Sequence, residues 1–120
     1  MNLLRFVVQH HLGVAAPHYD LMIEDGEALA TWTFRSLPGE GEGPWEGRPL
    51  PPHRKAYLSC EGPVSGGRGE VKIVDAGTAE VLSRDAALWK VRFEGRALRG
   101  GFRLEPAGGG GPWRLLRLET

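Results

Sequence analysis

The sequence predicts an all-β domain, a single antiparallel barrel of about eight or nine short strands with its site at one end. Three observations lead there. Apolar and polar residues alternate with a period of two in stretch after stretch, as on strands with one buried face. The 18 glycines and 9 prolines are placed to break the chain into short elements joined by turns. No stretch repeats apolar residues at helical spacing, and many strands in 120 residues avoid unpaired edges most simply by closing on themselves. A chain of this length holds one core, so the expected organisation is one domain over residues 1–120.

Taken in order, Leu4 to Gln9 reads as the first strand and His18 to Glu24 as the second. Asp25-Gly26 supplies the tight turn that returns Glu27 to Phe34 antiparallel to it. From Leu37 to Pro52 the chain is mostly Gly, Pro and Glu around Trp45, which predicts a long loop. Strands are then expected at Arg54 to Cys60, Gly69 to Asp75, Ala79 to Leu82, Leu88 to Glu94, Ala97 to Leu104 and Trp113 to Leu118. Pro106 to Pro112, with four consecutive glycines, reads as a hairpin tip. Trp32, Phe34, Trp89, Phe93, Phe102 and Trp113 fall within strand patterns and are expected in the core or barrel wall.

Composition excludes several classes. Cys60 is the only cysteine, which rules out an intramolecular disulfide or a zinc ribbon and fits a reducing cytoplasm. No stretch approaches a membrane span, and the first residues lack the cationic lead of a secretory signal, so a soluble, cytoplasmic protein without a membrane partner is expected. Formal net charge is +0, against non-specific coating of nucleic acid. The charge is nevertheless uneven: residues 1–83 carry 7 basic and 11 acidic side chains, residues 84–120 carry 8 and 4, and that basic third could face phosphates.

The chemistry lies in the histidines. Of the 4 in the chain, His10, His11 and His18 fall within nine residues, and His53 follows the long loop. On a strand, His18 and Asp20 project to one face while Tyr19 and Leu21 point to the other. Two imidazoles and a carboxylate suit a divalent cation such as Mn²⁺, Zn²⁺ or Fe²⁺. The further ligand would be His10 or His11 from the neighbouring strand, reaching across if the intervening loop folds over the barrel mouth. His53 is the remaining candidate, as a ligand or facing a substrate.

With those residues in view, the sequence resembles a known family. Phe6-Val7-Val8-Gln9-His10-His11, His18-Tyr19-Asp20-Leu21, Glu24-Asp25-Gly26 and Ala30-Thr31-Trp32 resemble the opening of the 3′-phosphoesterase domain of bacterial DNA ligase D and its small free-standing relatives. His53, Tyr57, Glu61-Gly62, Gly66-Gly67-Arg68-Gly69 and Val71 to Gly77 look like its second block, Phe93 to Gly100 and Trp113-Arg114-Leu115-Leu116 like its closing strands. The resemblance implies a β-barrel with a Mn²⁺-dependent site that removes blocking groups, including a 3′-phosphate, from DNA or DNA-RNA primer ends. It implies His11, His18 and Asp20 as metal ligands, with His10 the alternative to His11, and His53 and Tyr57 at the scissile phosphate. A DNA ligase or end-joining machinery is the partner it suggests, and a monomer the expected state.

The match departs from the family at Met22, where an Arg that grips phosphate is usual. Arg35 and Arg48 are candidate substitutes, and Arg54, Lys55 and Arg68 candidate phosphate or strand contacts. Two other readings compete: a degenerate relative that binds metal or nucleic acid without turnover, favoured by Met22, and a non-haem iron oxygenase, suggested by the two-His, one-carboxylate pattern. The latter class typically needs a larger double-sheet barrel.

Overall fold

The structure is a computed structural model that describes residues 3–108 and 111–118. Its nine strands run β1 (Leu3–Leu12), β2 (His18–Asp25), β3 (Ala28–Phe34), β4 (Trp45–Arg54), β5 (Gly62–Pro63), β6 (Glu70–Asp85), β7 (Leu88–Glu94), β8 (Arg99–Pro106) and β9 (Trp113–Arg117). They pair antiparallel in the order β1-β2-β3-β4-β9-β8-β7-β6, and a further β1–β6 pairing closes eight strands into a barrel, with β5 added beside β6. The all-β barrel predicted from the alternation is therefore present. The hairpin tip at Gly109-Gly110 lies outside the described residues, but Ala107 N–H donates to the Pro112 carbonyl across its base.

Several elements differ from the sequence reading for physical reasons. The Gly-Pro-Glu stretch is irregular only as far as Pro44, after which β4 carries Trp45 into the core. Its prolines hid the strand. Pro51 and Pro52 sit where the β3–β4 register skips, between the pairs Thr31 with Leu50 and Leu29 with His53, so their missing N–H groups cost no ladder bond. Residues Lys55–Ser59, expected to be a strand, form a 3-10 helix. The stretches 69–75 and 79–82, expected as two strands, are one bent strand. At Gly77 it runs so close to β7 that a Cβ would stand 2.0 Å from the Glu94 carbonyl oxygen. The eighth strand starts at Arg99 rather than Ala97, because residues 96–98 form a turn around Asp75.

The interior is filled by Phe6, Val8, Leu21, Ile23, Trp32, Phe34, Trp45, Trp89, Phe93, Phe102 and their neighbours. Arg117 closes one end, its guanidinium over the Trp45 and Phe102 rings and Nη2 donating to the Gly39 and Gly41 carbonyls. A second, smaller cluster lies on the outer wall, where the outward-facing Val7, Met22 and Leu29 are covered by Tyr57 and Leu58 of the 3-10 helix and by Ile73. That covered wall positions the site.

Candidate functional site

Antiparallel pairing sets His11 opposite His18, and Gln9 opposite Asp20, on the same outer face of β1 and β2. His11 and His18 meet edge to face with ring centroids 4.9 Å apart. The loop needs no fold over the barrel mouth, since the register itself brings the rings together. His10 points to the other face, stacked on Tyr19 at 4.1 Å with an interplanar angle of 11°. Burial, then the proximity of His18 and Lys72, lowers the His10 pKa.

The protons on two rings are fixed by backbone carbonyls, which can only accept. His18 Nδ1–H donates to the Ala16 carbonyl at 3.0 Å, leaving Nε2 to face Asp20 Oδ2 at 3.7 Å. In the neutral ring this sets a lone pair against a carboxylate oxygen, an arrangement that calls for a proton or a cation between them. The other oxygen, Asp20 Oδ1, is buried without a hydrogen-bond partner. His11 Nε2–H donates to the Arg68 carbonyl at 2.7 Å, leaving Nδ1 as its free nitrogen. These residues fit a divalent cation in chemistry: two imidazole nitrogens with their partner N–H groups anchored, and one carboxylate with an orphaned oxygen. Among the described residues, however, no group of three or more His, Cys, Asp or Glu side chains is drawn together as a finished ligand set.

His53 and Tyr57 form a separate part of the same wall. His53 pairs with Leu29, which pairs with Glu24, so it stands in a row four residues along β2 from Asp20, roughly 13 Å by strand rise. The fold does not bring it to the ligands. Its Nδ1–H donates to the Pro51 carbonyl at 3.0 Å, leaving Nε2 free, and its ring meets Tyr57 edge to face at 5.5 Å.

The residue that sequence reasoning passed over is Gln9. It is 4% exposed, and its Nε2 donates to the Tyr57 carbonyl at 2.6 Å and the Cys60 carbonyl at 3.1 Å, tying the helix that carries Tyr57 to the strand that carries His11. The signal available was a polar residue ending an apolar run just before the histidines.

The candidate cationic contacts divide. Arg35 and Arg48 line a groove of about 740 Å³ that starts at His18 and runs past Thr33, Ser36 and Leu50. Neither pairs with an acid among the described residues. Lys55 is held 3.6 Å from Glu24, and Arg54 lies over the Tyr57 ring at 6.0 Å. The Arg68 side chain turns back on its own loop, donating from Nε to the Ser65 carbonyl at 2.8 Å and from Nη2 to Ser65 Oγ at 3.3 Å. Met22 is 1% exposed beneath Tyr57 and Leu58.

Fold and site together define a closed antiparallel β-barrel with a His/Asp cluster on its outer wall at the head of an arginine-lined groove. Comparison with models of known families and with characterised proteins finds no match for this chain. No helix among the described residues is long and apolar enough to cross a membrane.

Proposed function

We propose that this protein is a divalent-metal-dependent phosphoesterase acting on 3′ ends of DNA or DNA-RNA primers, removing a 3′-phosphate or 3′-ribonucleotide in end healing or repair. The observation that carries the proposal is the pair of facing acceptors, His18 Nε2 and Asp20 Oδ2, beside the orphaned Asp20 Oδ1 and at the head of a groove lined by Arg35 and Arg48. The resemblance to the DNA ligase D phosphoesterase domain supplies the substrate class.

On this reading His18, Asp20 and His11 through Nδ1 hold the cation, with Mn²⁺ preferred and Zn²⁺ the alternative. When bound it supplies Lewis acidity at a phosphate oxygen and eases deprotonation of a water. Arg35, just past β3, and Arg48 on β4 hold the phosphate and the nucleotide behind it, doing what Met22 cannot do on β2. His53 and Tyr57, set roughly 13 Å along the wall from Asp20, contact the substrate strand away from the phosphate at the cation. The protein works as a cytoplasmic monomer, alongside a DNA ligase or end-joining machinery.

The test is a primer-template ending in a 3′-phosphate or a single 3′-ribonucleotide, incubated with purified protein and Mn²⁺. Release of phosphate or nucleoside, abolished by EDTA and by His18→Ala and Asp20→Ala in folded protein, is the expected result. Wild type that binds Mn²⁺ at this site without turnover would overturn the enzyme and leave the metal- or nucleic-acid-binding module, the reading that buried Met22 favours.

A further inference from the structure

We infer that Arg68 is a positioning residue for His11, acting through its own backbone carbonyl rather than through its charge. The inference rests on the proposed cation site and concerns which nitrogen of His11 that site is offered.

The loop between β5 and β6 contains Gly66, Gly67 and Gly69, all at positive φ, so little in its backbone opposes rearrangement. Two things define its shape. At the base, Val64 N–H donates to the Gly69 carbonyl at 2.8 Å, and Gly69 lies so close to β1 that a Cβ would stand 2.0 Å from the Leu12 carbonyl oxygen. Along the loop, the Arg68 guanidinium bonds both the carbonyl and the hydroxyl of Ser65, spanning the two glycines between them. The product of this bracing is one carbonyl, that of Arg68, held 2.7 Å from His11 Nε2.

That contact selects the tautomer. A carbonyl cannot donate, so His11 carries its proton on Nε2 and presents Nδ1 as the acceptor. The Ala16 carbonyl does the converse for His18, fixing the proton on Nδ1 and freeing Nε2. The two facing rings thus keep opposite nitrogens free, and each choice is made by a backbone carbonyl. An Arg whose guanidinium is committed to Ser65 is poorly placed to contact phosphate, so its charge is incidental and its geometry is what the site uses.

The experiment compares Arg68→Ala, Arg68→Lys and Ser65→Ala with wild type by two readouts. In metal-free protein, long-range ¹H–¹⁵N spectra assign the His11 tautomer. Wild type is expected to be the Nε2–H form, Arg68→Ala a mixture, and Arg68→Lys to resemble Ala, since Lys keeps the charge but has no guanidinium fork. Mn²⁺ affinity, followed by electron paramagnetic resonance, is expected to fall about tenfold in Arg68→Ala and Arg68→Lys, with a smaller loss in Ser65→Ala, at unchanged melting temperature. An unaltered tautomer in Arg68→Ala, or full restoration by Arg68→Lys, overturns the inference. If wild type binds no Mn²⁺, the cation site itself is refuted, while the tautomer spectra still decide whether Arg68 positions His11.

Discussion

Asp75 offers the sharpest quantitative test of how this barrel is held together. Its carboxylate is 4% exposed and accepts four backbone N–H bonds: Ala76 at 2.9 Å and Arg96 at 2.6 Å on Oδ1, Ala97 at 3.0 Å and Leu98 at 2.8 Å on Oδ2. Three of these donors belong to the turn between β7 and β8, so one side chain of β6 organises the turn that leaves its neighbouring strand. A hydrogen bond to a charged acceptor contributes about 1.5–3 kcal/mol, and removing the acceptor strands the donors. Relaxation and water entry recover part, so Asp75→Ala is expected to cost about 3–5 kcal/mol. Asp75→Asn should cost about half as much, because its amide oxygen still accepts while its NH₂ faces donors. With a urea m-value of about 1.5 kcal/mol/M, the Ala variant's unfolding midpoint falls by about 2 M or more. At roughly 4 °C per kcal/mol its melting temperature falls by about 12 °C or more. Urea titration followed by tryptophan fluorescence reads this directly. A midpoint shift below about 0.5 M at unchanged m would mean that the turn closes without the carboxylate, refuting the reasoning.

Four further outcomes are expected. Glu24, held below the ordinary carboxylate range by the Arg5 backbone N–H, and Asp25, held there by the Arg84 guanidinium, stabilise the fold above their unfolded pKa values. That stability is lost as pH falls below about 4.5, so Glu24→Gln/Asp25→Asn should flatten melting temperature against pH between about 3 and 5. Met22→Arg places a cation under Tyr57 and Leu58 and should destabilise by about 3 kcal/mol or more in thermal denaturation; a stable, more active variant would show that the position can grip phosphate after all. Arg35→Ala and Arg48→Ala should each raise KM for a 3′-phosphate primer about tenfold with a smaller effect on kcat, and reduce its salt dependence. Gln9→Ala should cost about 1–2 kcal/mol and speed amide exchange at Cys60, whose N–H closes the 3-10 helix onto Tyr57.

The barrel was legible because most strands keep strict alternation: Phe6 and Val8, Leu21 and Ile23, Trp32 and Phe34 all point inward as period two requires. Illegible parts are those where a long-range contact overrides the local pattern. Ile73 and Asp75 share parity, yet the register shift opposite Val8 and Gln9 turns Ile73 to the outer wall and leaves Asp75 paired with inward-facing Val8. Leu50 and His53 differ in parity, yet the shift at Pro51 and Pro52 pairs both with outward-facing β3 residues. The histidines were legible as a cluster, but the choice between His10 and His11 depends on which strand face looks outward. Neighbouring residues on a strand cannot reveal that. What Gln9 and the Arg68 carbonyl bond to was not legible, because the partners lie 48 and 57 residues away.

The placement of the groove follows from how the outer wall is divided. With tryptophan and phenylalanine filling the barrel, the space that could receive a nucleotide lies outside it. Outward-facing Val7, Met22 and Leu29 cannot stay in water, and covering them fixes the 3-10 helix against β1, β2 and β3. The same wall stays open beyond Met22, and there Asp20, Thr33 and Arg48 face outward in one row and His18 in the next. Met22 is therefore the boundary residue between covered and open wall. An Arg at that position would need the cover withdrawn, and with it the support for Tyr57 and the Gln9 bonds that hold it. On the proposed reading, the burial of Met22 and the use of Arg35 and Arg48 on the β3–β4 side are two results of one covered wall. Placing a phosphate-gripping Arg at position 22 should then require substitutions in Tyr57 or Leu58 as well.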